Sequence, residues 1–553
     1  MTVVEVSKYN FSYPGMDENT LDDISFAIES GEVIGIIGAL GAGKTTLCMS
    51  IAGFAPKIVG GDADGKIDFP KNGEDTVGMV FEDYSAQLVQ LKVLDEVTTP
   101  LLNRGVDKGE IDSRGRDLLK KVGLEGNNIE RQKIWELSGG QQQQLAIAAT
   151  LAIEPQILIL DEVVDKLDPQ GRKNVRQAVE ELSGEKTLII VSHDAEFLLE
   201  TADRILVVEN GKIIANDKPQ AILGDRDLLE RADIEPTLSW QIADGIGLPE
   251  LVLTEDELVQ NISDRRFPFP TRIPQQAEFD GSALIDLQQV NFAYSEDTKV
   301  LLNVNLSVKE GEVHGVIGRS GAGKTTIIKH IAGLLEPNSG RVIIDGSPAR
   351  DRSVVDLALT VGTVLQNPDE QISEATVREE IGFPLKQRKR DKREIESRVN
   401  EVCELVGIER ELWERDPILL SRGQRKLVTV ASALVCDPKI LLLDEPAIGL
   451  GAKARQQLKE LIQKLKQQKK AVFIVSNDID FIAMVADTVT LLEQGRVELQ
   501  DSVHNFFSDR HWQKLEELYL TPPRAAKIAQ RLGIKALDTE ELINKLTQTH
   551  QEV

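Results

Sequence analysis

The chain has 553 residues, too many for one hydrophobic core, so several domain-sized units are expected. A formal net charge of −26 with 41% hydrophobic residues suits a globular protein and argues against a nucleic-acid surface, which wants basic patches. Nucleotides are not excluded, because a small backbone cradle can hold a phosphate inside an acidic protein.

The start, MTVVEVSKYNF, lacks the basic and apolar regions of a signal peptide, and no apolar run approaches the roughly 18 residues that span a bilayer. Cys48, Cys403 and Cys436 have no metal-ligand spacing and read as reduced thiols of a cytosolic protein. NFSYPG at Asn10 precedes the apolar run EVIGIIG, which reads as a strand buried on both faces of a mainly parallel sheet. It feeds GALGAGKTT, Gly38 to Thr46, a G-x-x-x-x-G-K-[ST] pattern that opens a helical stretch. Gly38, Gly41 and Gly43 let consecutive N–H groups curl around phosphates, and the helix N-terminus adds its dipole. Lys44 reaches the β/γ-phosphates and Thr45, ahead of Thr46, can ligate Mg²⁺.

VFEDYSAQL follows with Glu82 and Gln87, then ELSGGQQQQ with Ser138, Gly139, Gly140 and Gln141, where a helical stretch to Ile153 begins. ILILDE ends a buried strand on Asp161, a candidate Mg²⁺ partner, and Glu162 beside it can polarise an attacking water. LDP carries Asp168 and LIIVSHD carries His193. IEPTLSWQIADGIGLPELVLTEDELVQNI then reads as proline, short helix, and a Thr-Glu start to a second helix in capping-box style. Pro268, Pro270 and Pro274 mark an extended linker.

Beyond the linker the same order repeats, offset by roughly 280 residues. NFAYSE places Tyr294 where NFSYPG has Tyr13, and GRSGAGKTT supplies Gly318, Gly321, Gly323, Lys324, Thr325 and Thr326. VLQNPDEQI holds Gln366 and Gln371, and LLSRGQRKL holds Ser421, Arg422, Gly423 and Gln424. ILLLDE ends on Asp444 and Glu445, LGA stands for LDP, and VFIVSND has Asn477 where the first half has His193. LTPPRAAKIAQRLGIKALDTEELINKL repeats the tail. The predicted fold class is α/β, twice.

This ordered set resembles the ATP-binding cassette (ABC) ATPases, twice over and across almost the whole chain. The resemblance implies two tandem nucleotide-binding domains, each a P-loop core sheet with a helical signature subdomain and a small helical C-terminal extension. The corresponding divisions are 1–230, 231–262, the Pro-rich linker 263–283, 284–510 and 511–553. It implies ATP and Mg²⁺ as ligands, Tyr13 and Tyr294 stacking on adenine, and Gln366 and Glu82 at the Q-loop position. It also implies head-to-tail pairing within the chain, each ATP lying between the Walker residues of one half and LSGGQ of the other. The first half's lysine then meets LSRGQ and Gly451, whereas the second half's meets intact LSGGQ and Asp168. Three departures (Glu82, Arg422, Gly451) gather in the first site and one, Asn477, in the second. A Glu82–Arg422 ion pair and strain at Arg422, if that position needs φ > 0, are further expectations. ATP binding at both sites, with faster hydrolysis at the second, is predicted.

The NPDEQ loop and the twice-occurring tail are similar to the ATPases of energy-coupling-factor (ECF) importers of vitamins and metal ions. That likeness implies a peripheral position on the cytoplasmic face of the membrane. It further implies an integral-membrane coupling subunit, a separate substrate-capture subunit, and tails that hold the ATPase pair together. Asp95, Glu96, Glu379 and Glu380 beside the Q-loops are candidate partners for arginines of a coupling helix. Other classes are a sugar-type importer ATPase and a soluble two-cassette translation or regulatory factor.

Overall fold

VIGII, ILILD and TLIIV are buried at every position, and so are VHGVI, ILLLD and AVFIV of the second half. Runs apolar on both faces can only be satisfied in the middle of a covered sheet, and they build one in each half. The structure, a computed structural model, describes residues 1–16, 18–39, 41–69, 77–124, 129–137, 139–164, 169–264, 279, 281–295, 298–319, 321–448, 450–518 and 520–548. Positions 265–278 and 280 of the Pro-rich linker, Ser138 and Asp168 lie outside the described residues, as does the Arg422 side chain. The chain forms two compact units, Met1–Thr237 and Leu238–Val553.

In the first unit a six-stranded sheet runs Val77–Val80, Ile157–Asp161, Thr187–Val191, Val33–Ile37, Arg204–Glu209, Lys212–Asp217. All its neighbours are parallel except the last pair. A separate antiparallel sheet orders Leu21–Glu29, Thr2–Ser12 and Asp62–Asp68. Three helices, Val93–Asn103, Lys108–Lys121 and Gly139–Ala152, form the helical part. The last begins two residues before the predicted helix and ends one residue before it.

The second unit repeats this plan. Its six-stranded sheet runs Val361–Val364, Ile440–Asp444, Ala471–Val475, Val313–Ile317, Thr488–Glu493, Arg496–Ser502. Val377–Gln387, Lys392–Val406 and Arg422–Leu434 are its helical part. In both units the carboxyl ends of the parallel strands converge where the glycine-rich loop starts, the usual ligand position of such sheets.

The tail of each half comes together in the second unit. Helices Leu238–Gly245 and Glu255–Asp264 pack on Arg524–Arg531 and Thr539–Gln548 around Ile242, Leu258, Ile262, Ile528 and Leu542, all fully buried. Arg531 adds an ion pair across the bundle to Asp256 at 2.6 Å. Thr254 caps its helix as predicted, accepting from Glu257 N while the Glu257 carboxylate accepts from Thr254 N. In the second tail the capping residue is Asp538, not the predicted Thr539. Its carboxylate takes the Glu541 N–H at 2.8 Å, and aspartate fills that position as well as threonine does.

One partly buried pair in the first half is replaced by a buried one in the second. In the first, Arg204 sits 2.8 Å from Glu32. In the second, Glu312 meets His314 Nδ1 at 3.1 Å, and His314 Nε2 meets Thr490 at 2.9 Å, with His314 wholly buried. Burial pushes the Glu312 carboxyl up, but the His314 hydrogen bond and charge outweigh it, so the group lies below its ordinary 4.5. A lowered folded value means the stabilisation is complete above pH 4.5 and disappears as pH falls through the folded value. Glu312→Gln is therefore expected to cost about 2 kcal/mol near neutrality. Urea melts should show the gap from wild type closing below pH 4.5.

Candidate functional site

The glycine-rich loop depends on backbone conformations that side chains obstruct. Gly38 has φ 152° and a Cβ there would collide with Val208 O; Gly318, at φ 156°, would collide with Leu492 O. Gly43 and Gly323 precede the helices Lys44–Ile51 and Lys324–Ile331 with φ 102° and 103°. Gly41 and Gly321 are also left-handed. The buried lysines fold back over the loop: Lys44 Nζ donates to Gly38 O at 2.8 Å and Ala39 O at 3.0 Å. Lys324 Nζ repeats this with Gly318 O at 2.7 Å and Arg319 O at 3.1 Å. Each ammonium therefore sits over the glycine-rich loop at a helix N-terminus, a position suited to phosphate.

The acids stand opposite. Thr325 Oγ1 donates to Asp444 Oδ2 at 2.9 Å. Asp161 is fully buried, and neither of its oxygens meets hydrogen-bond geometry with a described partner. Burial first, then the charges of Glu162 and Glu82, drive its carboxyl up to about 7, with the nearby Thr45 hydroxyl opposing. A buried acid crowded by two others, with orphaned oxygens beside a threonine, fits a small hard cation such as Mg²⁺.

Glu162 and Glu445 both have left-handed backbones, φ 50° and 47°, although neither is glycine. Their N–H groups continue the sheet ladder to Val191 O and Val475 O, and the kink then turns each side chain toward its lysine. The same backbone conformation recurs at this matched position in both halves. Glu162 Oε1 lies 3.0 Å from His193 Nε2 and 3.9 Å from Lys44 Nζ. Glu445 is held by the segment that follows the neighbouring strand. Asn477 binds it through its backbone N–H, at 3.1 and 3.0 Å, and Ser476 donates its hydroxyl at 3.0 Å. Burial raises the Glu445 carboxyl to about 7 against the pull of Lys324.

The aromatic residues also differ. Tyr13 packs edge-on against Phe11 and its hydroxyl meets Thr46 Oγ1 at 3.1 Å. Tyr294 packs edge-on against Phe292 and is 54% exposed, open to a planar ligand.

The ABC transporter family matches residues 21–165 and 301–448, the segments that hold both glycine-rich loops and both Asp-Glu pairs. The chain belongs to that family. A relative from Caldanaerobacter subterraneus, described as an ABC transporter ATP-binding protein, is 34% identical over 96% of each chain. One from Methanosarcina mazei, of the same description, is 32% identical over 98% of this chain and 95% of its own. Among solved structures, CbiO1 from Clostridium perfringens, described as part of the ABC transporter complex CbiONQ, is 30% identical. It covers 46% of this chain and 99% of its own, with a TM-score of 0.40. The protein is a duplicated ABC ATPase, with two ATP-binding cassettes of a transporter in one chain.

Within each ABC cassette the loop glutamines divide the work. Gln87 and Gln371 tie their loops back to the preceding strands, Gln87 through Met79 O and Phe81 N, Gln371 through Thr363 O and Leu365 N. Glu82 is half-buried, and Gln366 is exposed at the start of its loop.

In the second signature, Ser421 accepts from Gln424 N at 3.2 Å and Gln424 Oε1 accepts from Ser421 N at 3.0 Å, a capping box. Arg422 and Gly423 are the first two helical residues. Gly139 and Gly140 likewise begin a helix, with Gln141 in its first turn, and Gly139 is not left-handed. The expected backbone strain at Arg422 is absent, because the position is ordinary helix, which any residue adopts.

Two acidic assignments are corrected. Glu96 is buried and its carboxylate accepts from Val89 N and Gln90 N, at 3.0 and 2.7 Å. Glu380 does the same for Ser373 N and Glu374 N, at 2.8 and 2.9 Å. Both acids hold the loop after the Q-loop and are turned away from any docking partner; Asp95 and Glu379 are exposed. Glu380→Ala should leave two amides uncapped, and amide exchange across 371–376 should rise about tenfold or more, equivalent to about 1.4 kcal/mol or more.

Proposed function

We propose that this ABC ATPase is the energising subunit of an ECF-type importer of vitamins or metal ions. The observation that carries the reading is the duplicated tail. The extension after each cassette packs with the other into one apolar core, a place from which tails can hold a cassette pair together. The NPDEQ loop supports the same reading.

In this account the halves close head to tail, and each ATP lies between one Walker cradle and the other half's signature. Lys44 and Lys324 hold phosphate, Tyr13 and Tyr294 face adenine, and Glu162 and Glu445 orient and deprotonate water. Ser138, Gly139, Gly140 and Gln141, with Asp168, close on the second half's ATP; Ser421, Arg422, Gly423 and Gln424 close on the first half's. Thr45 with Asp161, and Thr325 with Asp444 and Gln366, would hold Mg²⁺, whose charge offsets that of the phosphates. His193 positions Glu162, and Asn477 positions Glu445 from its backbone.

Apolar residues exposed beside the loops favour a membrane-protein partner. Val89, Leu91 and Trp135 are 75%, 67% and 60% exposed in the first half, and Ile418 and Leu419 are 69% and 67% exposed in the second. No described helix is long and apolar enough to cross a membrane, so the chain would sit peripherally, on the cytoplasmic face. Capture of the full chain from detergent-solubilised membranes tests this reading. A polytopic coupling protein and a small second membrane protein should be retained. Retention of ribosomes or of soluble proteins alone would reject it.

A further inference from the structure

The helices that carry the two signatures differ one turn in. Lys426 stands where the first half has Gln143. Lys426 is 3% exposed, and its Nζ donates to Gln366 O at 2.8 Å, Leu365 O at 3.3 Å and Asp444 O at 3.4 Å. Three carbonyls match the three protons of an ammonium. Gln143 is just as buried, but its amide donates to Val163 O, on the residue after Glu162.

The neighbouring residue extends the difference. Arg425 Nη1 donates to Ile418 O and Leu420 O, each at 2.9 Å, and its Nε lies 2.9 Å from the Asp369 carboxylate. Its counterpart Gln142 donates to Ile134 O and Leu137 O, of which Leu137 matches Leu420. The loop Gln366–Gln371 is thus tied to the helix Arg422–Leu434 at two points, a carbonyl and a carboxylate. A third tie, Gln371, runs back to the strand.

A buried ammonium loses its solvation unless carbonyls replace its water, so a lysine is an expensive way to fill this space. An apolar residue or the first half's glutamine would fill it at less cost. What the lysine adds is a rigid link between three segments: the signature helix, the Q-loop backbone, and the end of the strand bearing Asp444.

We propose that Lys426 is a positioning residue of the second cassette, holding the backbone at Gln366 so that its side chain is presented to the ATP of Lys324. The first cassette has Gln143 at this position, and its amide binds Val163 O instead of the Q-loop backbone. The proposal rests on the reading of Gln366 as a participant in hydrolysis.

The test uses the full chain with Lys426→Met, Lys426→Gln and Lys426→Arg, alongside Gln366→Ala. Lys426→Met should lower kcat about tenfold, the order expected when a reacting group is misplaced. Binding of a fluorescent ATP analogue with Mg²⁺ should stay within about twofold, because the Lys324 cradle is untouched. Amide exchange over 365–371 should quicken while 81–87 is unchanged, and Lys426→Arg should recover part of kcat. Lys426→Gln serves if the methionine variant folds poorly. Unchanged kcat and exchange in Lys426→Met, with Gln366→Ala slow, would overturn this proposal alone. A silent Gln366→Ala would overturn both the reading of Gln366 and the proposal built on it. A kcat that falls only with the folded fraction would reduce Lys426 to a structural residue.

Discussion

Glu445→Gln is expected to lower steady-state ATP turnover by about 10²-fold or more, the range for removing a general base, and Glu162→Gln by about tenfold or less. The two glutamates share a strained backbone but not their surroundings. Glu162 has the His193 ring at 3.0 Å and Lys44 at 3.9 Å, and the residue matching His193 in the second half is Asn477. Beside it Asp161 is buried among like charges, Glu82 included. Glu445 is held by the Asn477 N–H and the Ser476 hydroxyl, and burial carries its carboxyl to about 7, close to the value that suits a base at neutral pH. Its loop keeps the neutral Gln366. Phosphate release from the two single variants measures the difference. Collapse in Glu162→Gln alone would assign turnover to the first cassette.

Leu542→Asp should open the tail bundle. Leu542 is fully buried among Ile242, Leu258, Ile528 and other apolar side chains of both tails. A carboxylate there has no partner, so the change combines a lost leucine with an unpaired charge, a penalty above about 4 kcal/mol. The cassette cores lie in other clusters. Calorimetry should therefore show loss of a small transition with the main ones kept. If the tails hold the cassettes together, turnover falls with it, and single-cassette ATP binding does not. Full turnover from a chain with an opened bundle would separate the tails from the pairing.

The elements most legible in the sequence were those whose residues do one job. Five-residue apolar runs could only be buried strands, and the glycine-lysine-threonine pattern needed a strand before it and a helix after it. Periodicity could not show which way a carboxylate turns. Glu96 and Glu380 occupy the first turn of exposed-looking helices, yet each caps two backbone amides, a role read only from the loop folding back. The left-handed kinks at Glu162 and Glu445 have no sequence signal, since they arise where the sheet ladder ends. Asn477 reads as a shortened histidine, whereas its contact with Glu445 is made by the backbone N–H. Lys426 was passed over for a similar reason. A charged residue in a helix is most often solvated, and only the burial of this one reveals a link.

Transport itself bears most directly on the central claim, that this chain powers uptake through membrane partners. The captured complex, in vesicles with the chain outside, would be given ATP and labelled cobalt, nickel or a panel of vitamins. One labelled solute should leave the vesicles, which is uptake in this orientation, and the Glu162→Gln/Glu445→Gln double variant should abolish that flux. Efflux unaffected by the double variant, or ATP-driven accumulation inside the vesicles, would contradict it.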